Sequence, residues 1–330
     1  MQWACCCFAL MLWLAAVHAH AQSEAGSETV RWDFPTAYPE QNFHTENILQ
    51  FVSEVELATE GRLRIKVFPN AALFSATEIK YAVQGGQAQI GEILLANLQN
   101  ESVLFGIDGI PFLATSYADA RQLYRASKAA HDRLLAGHGL LMLFSVPWPP
   151  QGIYSRKEIS TPDDMNGLKW RAYSRSTIRI AELVQAHPVV VQASGLSAAL
   201  KSGGVEAFMS SSSTGYDIKS QEHLKYFYDL RASLPRNAVI VNRSSFQALD
   251  QRTREAVLKA AANAEARGWK LSEEKNQWYL EQLQRSGIRI SQPSPRLRAG
   301  LEQVGAVMLS DWLKQSGAAG QAILGTYRGR

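Results

Sequence analysis

From Gln251 to Ser286 the chain contains no proline and is rich in alanine. At about 1.5 Å per residue, a helix of this length would reach roughly 54 Å. That outruns one small domain, and Gly268 is the candidate position for a bend. The length of the chain permits a larger plan. Of its 330 residues, about 309 remain once a leader is set aside, enough for two domains sharing a ligand cleft. A hydrophobic fraction of 46% with 19% charged residues belongs to an ordinary globular protein and excludes a disordered or coiled-coil chain.

Upstream of that helix, strand and helix patterns alternate. Thr29 to Phe34 alternates as a first strand. Thr45 to Ala58 places Ile48, Phe51, Val52 and Val55 at helical spacing. Gly61 ends that helix, and Leu63, Ile65 and Val67 alternate again. Glu78 to Val83 is a short helix, and Ala88 to Leu95 leads into a third strand. This order implies a parallel sheet covered by helices. Ser116 to Ala136 is amphipathic, and Leu140 to Val146 is a buried strand. Trp148-Pro149-Pro150-Gln151-Gly152 then interrupts the chain. Two prolines and a glycine do not continue a central strand, so a crossover between domains is expected there. Leu168 to Arg171 and Pro188 to Val191 read as strands, with helices at Ile178–Ala186 and Leu196–Leu200. A polar tract, Ser210 to Ser213, follows. Ala238 to Asn242 is a strand returning to the first domain, Arg289 to Ile290 a short strand, and Leu297 to Leu313 a last helix.

Residues 1–21 read as a targeting segment. Phe8 to Val17 is an apolar core, and Ala19-His20-Ala21 is a small-x-small cleavage site before Gln22. The run is too short to span a membrane. No Lys or Arg lies before Glu24, so only the amino terminus supplies positive charge. Cys5, Cys6 and Cys7 all fall within this segment. The mature chain is thus expected to begin at Gln22, to need no disulfide, thiolate or cysteine nucleophile, and to suit a bacterial periplasm.

The densest chemistry is in Thr161–Arg171, TPDDMNGLKWR. Pro162 and the two aspartates open a helical turn, Asn166-Gly167 breaks it, and a strand then carries Arg171 toward its C-terminal end. Open α/β folds place ligands at such ends, and a guanidinium can hold a carboxylate by two parallel hydrogen bonds. The segment resembles the signature of the TRAP-transporter solute receptors, the DctP-like periplasmic binding proteins. Three further stretches are similar to that family in the same order: Ala58–Asn70, Gly109–Leu113 and Val241–Leu249. The resemblance implies an α/β, two-lobed periplasmic binding protein fold with a ligand cleft between the lobes and a long helix spanning both. It places one lobe at 22–150 with 236–280 and the other at 151–235 with 281–330.

The resemblance also implies that Arg171 clamps a ligand carboxylate; spacing alone allows a structural salt bridge equally well. Gln151 stands where sialate-binding relatives have a second Arg. A neutral amide there favours a monocarboxylate over a diacid and can meet a carbonyl, hydroxyl or amide; the other reading is a turn residue after Pro-Pro. Trp148, Tyr38 and Phe43 are aromatics from crossover and loop positions that either wall an apolar slot or pack in the core. Glu92 accepts from a ligand N–H or O–H or caps a helix. Ser210 replaces an Asn that the family often has, and Gly195 stands where many relatives carry Glu. His44 reads as a helix-entry residue. The seven histidines do not cluster with acids at metal-ligand spacing, so no metal or cofactor is expected.

Three functions compete. A TRAP receptor would bind a small organic carboxylate, of the pyroglutamate or 2-oxo acid type, close by hinge motion as a monomer, and dock on separate membrane permease subunits. Aromatic carboxylates are the alternative ligand, and an input protein for a sensor kinase is the alternative use of the same fold. A periplasmic hydrolase lacks a Gly-x-Ser-x-Gly elbow, and Gly137-His138-Gly139 lacks the third glycine of a dinucleotide loop. The net charge of +4 is spread out. Arg171, Arg175 and Arg179 make no nucleic-acid patch, because a strand at Arg171 keeps them off one helical face.

Overall fold

The computed structural model describes residues 29–329; the expected leader lies outside them. β1 (Val30–Pro35) pairs in parallel with β2 (Leu63–Phe68), and α1 (Phe43–Ala58) crosses between them. Helix α1 starts at Asn42, whose side chain accepts from the His44 N–H at 2.9 Å. It buries Ile48, Phe51, Val52 and Val55, so the apolar spacing sets its inward face. α2 (Ile79–Gln84), β3 (Ile90–Leu94), α3 (Tyr117–Gly137) and β4 (Leu140–Pro147) follow. The chain then passes to a second sheet through β5 (Gln151–Ser155), β6 (Lys169–Ala172), α4 (Arg175–Leu183), β7 (His187–Val190), α5 (Leu196–Lys201), β8 (Ala207–Ser211), α6 (Ser212–Asp217) and β9 (Tyr226–Tyr228). β10 (Arg236–Asn242) and α7 (Arg243–Gln247) return to the first body. α8 (Gln251–Arg285), β11 (Arg289–Ser291) and α9 (Pro295–Arg328) complete the fold.

Three sheets form, which corrects the expectation of one parallel sheet: β1-β2 is parallel, β10 inserts antiparallel between β3 and β4, and the second body's sheet, β11-β9-β5-β8-β6-β7, is mixed. The alternation of strands and helices foresees β1-α1-β2 but carries no signal for a strand arriving from residue 236. The Trp148 interruption is indeed where the chain changes sheets. A strand nevertheless starts at Gln151, directly after Pro150, and lies centrally. Its glycine serves that position, because a Cβ on Gly152 would run into Phe227 and the Tyr228 carbonyl. The outward and return segments bond to each other: Trp148 N–H to Pro235 O at 2.8 Å, Gln151 N–H to Ser233 O at 2.9 Å and Ala232 N–H to Gln151 O at 2.9 Å.

α8 lies against both bodies, packing on α1 and β4 at one end and on α6 and β11 at the other. The helix runs unbroken through Gly268. A side chain there would strike Val146 and Asn47, so the glycine lets the helix lie close on β4. The final helix runs past the expected Leu313, turning at Gly317, where φ is 56°. The largest apolar cluster joins Ile107, Ile110 and Leu123 to Ile153 and Trp170 and to Leu301 and Met308 of α9. A second gathers Phe34, Phe51, Phe144 and Val257. Among the described residues, no helix is long and apolar enough to cross a membrane.

Candidate functional site

A cavity of about 360 Å³ lies between the bodies, with Tyr38, Asn97 and Trp148 on one side, Arg171, Tyr173 and Ser210 on the other, and Gln151 and Pro235 from the crossing segments. Its cationic end is built locally. Asp164 Oδ2 accepts the Ser160 and Thr161 N–H groups, each at 2.8 Å, which holds its carboxyl below the usual range and closes the turn at Pro162–Met165. β6 then alternates, Trp170 into the core and Arg171 toward the cavity.

Arg171 is only 4% exposed. Its Nε donates to Val191 O at 2.9 Å, and its guanidinium lies 4.6 Å from the Tyr173 ring centroid. Among the described residues no Asp or Glu pairs with it. Burial lowers its pKa to about 10, with Tyr173 and Tyr38 opposing, so the group is charged at neutral pH. The other fully buried arginine, Arg236, is different: its Nε meets Asp108 Oδ2 at 3.1 Å. The salt-bridge alternative thus describes Arg236 and not Arg171. A desolvated cation without a counter-ion costs several kcal/mol, which an incoming anion would offset.

Gln151 Nε2 donates to Pro149 O at 2.9 Å. A carbonyl can only accept, so the amide is oriented, and its Oε1 faces the Tyr173 hydroxyl at 3.5 Å. Trp148 Nε1 donates to Asn237 Oδ1 at 2.9 Å, and the Tyr38 ring meets the indole edge-on at 4.8 Å. Ser210 sits at the end of β8 opposite Gly152. Tyr38, Trp148, Gln151, Arg171 and Ser210 therefore converge on one cavity.

Glu92 and Phe43 do not reach it. Phe43 is fully buried behind Trp148, at 5.7 Å between ring centroids. Glu92 is captured behind the wall: its carboxylate accepts from Thr36 Oγ1 at 2.5 Å and from Asn237 Nδ2 at 2.9 Å. Burial raises its pKa to about 7, against the two hydrogen bonds. His44 Nδ1 lies 3.3 Å away, but burial pushes its pKa down to about 3, so the neutral ring makes no ion pair there. Glu92 thus orients Asn237, and Asn237 orients Trp148.

Tyr173, Asn97, Gln192 and Asp217 also line the cavity and were not foreseen. Tyr173 had a signal, since it stands two residues after Arg171 and shares its side of the extended chain. Asn97, whose buried carbonyl oxygen has no partner, carried none.

Two solved structures are closely similar to this fold. One is DctP6 of Bordetella pertussis, an extracytoplasmic solute receptor binding pyroglutamic acid. It is 52% identical, with a TM-score of 0.90 over 91% of this chain and 100% of that one. The other is a marine-metagenome TRAP solute-binding protein specific for pyroglutamate, 42% identical at TM-score 0.90, covering 92% of this chain and 100% of that one. A solute-binding protein of Albidiferax ferrireducens is 24% identical, but the match spans 56% of this chain and only 55% of that protein. The 2,3-diketo-L-gulonate-binding periplasmic protein YiaO of Escherichia coli is 22% identical over 84% of this chain and 85% of its own. The model of DctP, bacterial extracellular solute-binding protein family 7, matches residues 34–315, and the chain belongs to that family.

Proposed function

We propose that this protein is the periplasmic receptor of a TRAP transporter, that it captures a small organic monocarboxylate, and that pyroglutamate is its ligand. The observation that carries the reading is Arg171, buried, charged and without an acidic partner in a cavity of about 360 Å³. A ligand carboxylate supplies the missing charge through a paired hydrogen bond. The neutral, already oriented Gln151 offers no second clamp for a diacid. The unpartnered Asn97 oxygen suits a ligand N–H, which a lactam has and a 2-oxo acid lacks. The pyroglutamate-binding relatives at 52% and 42% identity support the same choice. Tyr38 and Trp148 meet edge-on and make one wall, which argues against an aromatic ring sandwiched between them.

In this reading the lobes are 22–150 with 236–280 and 151–235 with 281–330, and they close about the paired crossing segments. The closed monomer hands an unchanged ligand to membrane permease subunits, with no catalytic step. The test is calorimetry on protein stripped of co-purified ligand by unfolding and refolding. Binding of pyroglutamate, with weaker binding of 2-oxo acids and of succinate, is expected. Refolded protein that ignores pyroglutamate and binds a diacid would sink the assignment.

A further inference from the structure

The tract Ser210–Ser213, prominent in the sequence, ends β8 and opens α6, where other elements reach it. Ser212 Oγ donates to Asn276 Oδ1 of α8 at 2.8 Å. Asn42, at the entry to α1, comes from the opposite body and is fully buried. Its Oδ1 must face the His44 N–H at 2.9 Å, because a backbone N–H only donates. Nδ2 therefore points the other way. It donates to Asp217 Oδ2 at 2.6 Å, with Ser213 Oγ at 3.5 Å. Asp217 ends α6 and lines the ligand cavity, and its Oδ1 is buried without a partner. The Asn42 amide thus joins the two bodies beside the cavity.

Among the described residues no salt bridge pairs Asp217, although the charge of Lys275 pulls its pKa down. Glu46 of α1, Lys275 and Tyr279 of α8 and Tyr154 of β5 act on it, and the neighbouring Tyr216 of α6 packs on Tyr279. Lys275 is committed to Glu46 at 2.5 Å. Lys219 and Glu222 on the loop beyond are exposed, and Arg171 is the cavity's buried cation. Burial raises the Asp217 pKa to about 7, with the Asn42 bond opposing.

We propose that the Asn42–Asp217 bond is made on closure and that closing takes up a proton at Asp217, so that ligand affinity is linked to pH. The proposal rests on the receptor reading above. In an open form Asp217 is hydrated and an ordinary carboxylic acid. The closed form holds the proton more tightly, so lowering the pH below about 7 favours closure by up to tenfold per unit. Asn42 and Asp217 act as positioning residues through the relation of the lobes.

Calorimetry with pyroglutamate at about pH 8 and about pH 5.5 tests it on the wild type, Asp217→Asn and Asn42→Ser; the shorter serine retains the helix cap and removes the amide that reaches Asp217. The wild type is expected to bind about tenfold or more tightly at the lower pH. Asp217→Asn should bind equally at both, and Asn42→Ser should bind at least about threefold more weakly, by RT ln 3 or roughly 0.6 kcal/mol. Equal pH dependence in wild type and Asp217→Asn, or unchanged affinity in Asn42→Ser, overturns the proposal. If pyroglutamate binds to none of them, the ligand assignment fails instead. The linkage is then read from solution scattering of the unliganded protein. Contraction at low pH in the wild type alone supports it, and identical profiles for wild type and Asp217→Asn overturn it.

Discussion

Arg171→Met should separate a binding arginine from a structural one, because the two roles predict opposite effects on the empty protein. The substitution removes a buried cation that has no acidic partner. It forfeits the bond to Val191 O, about 1.5–3 kcal/mol for a charged donor, and the Tyr173 contact, about 0.5–2 kcal/mol. Against this it relieves a desolvation cost of several kcal/mol. The net change in unliganded stability is therefore within about 2 kcal/mol of zero. Arg236→Met provides the comparison, since it strands the buried Asp108 and should cost about 3–5 kcal/mol. Ligand binding follows the reverse order. Arg171→Met loses the carboxylate pair and about 2–5 kcal/mol, roughly 30- to 4,000-fold in Kd. Urea unfolding of both variants, with calorimetry on each, reads the four numbers. Equal destabilisation by the two substitutions, or wild-type affinity in Arg171→Met, would refute the reasoning.

Gln151→Arg should add a second cation and shift preference from monocarboxylates toward diacids such as succinate; unchanged selectivity in a ligand panel would place Gln151 outside the recognition set. Glu92 has a folded pKa of about 7 against an unfolded 4.5, so the native state binds more protons between those values. Its contribution to stability therefore falls as pH rises from about 4.5 to 7 and levels off above. Glu92→Gln should flatten that part of the pH–stability profile and raise stability at about pH 8, as read by thermal unfolding. Gly152→Ala places a methyl against Phe227 and the Tyr228 carbonyl and should cost at least about 1–3 kcal/mol, measured as a lower urea midpoint with an unchanged slope.

The parts of the fold that were legible are those whose signal is local. Ile48, Phe51, Val52 and Val55 state the buried face of α1 by their spacing, and the proline-free run states α8. Gly268 was read for only one of the two physical uses of a glycine in a helix, bending and close approach. The second depends on Val146 and Asn47, which lie where its side chain would be. In the candidate site, the role of Arg171 as a carboxylate clamp came only from the family resemblance, while its direction toward the cavity was legible from its place on a strand. Glu92 was not, because its exclusion from the cavity depends on Thr36 and Asn237, 56 and 145 residues away. Sequence periodicity says which side of β3 an acid takes and nothing about which donors wait there.

The same distinction bears on how binding and closure are joined. Gln151 belongs to the paired crossing segments through both its N–H and its carbonyl, and its side chain meets the Tyr173 hydroxyl. Tyr173 in turn lies under the Arg171 guanidinium. The residue that would read the ligand's neutral end thus stands beside the segments about which the bodies would turn in the proposed closure, and it is one contact from the cation that would hold the carboxylate. Gln151 and Arg171 share one sheet through β8, so such a rotation would carry them together and change instead their distance from the Tyr38 and Trp148 wall. A ligand held by Arg171 and Gln151 that also meets that wall would best stabilise the closed form, so discrimination would reside in closure as much as in the contacts themselves.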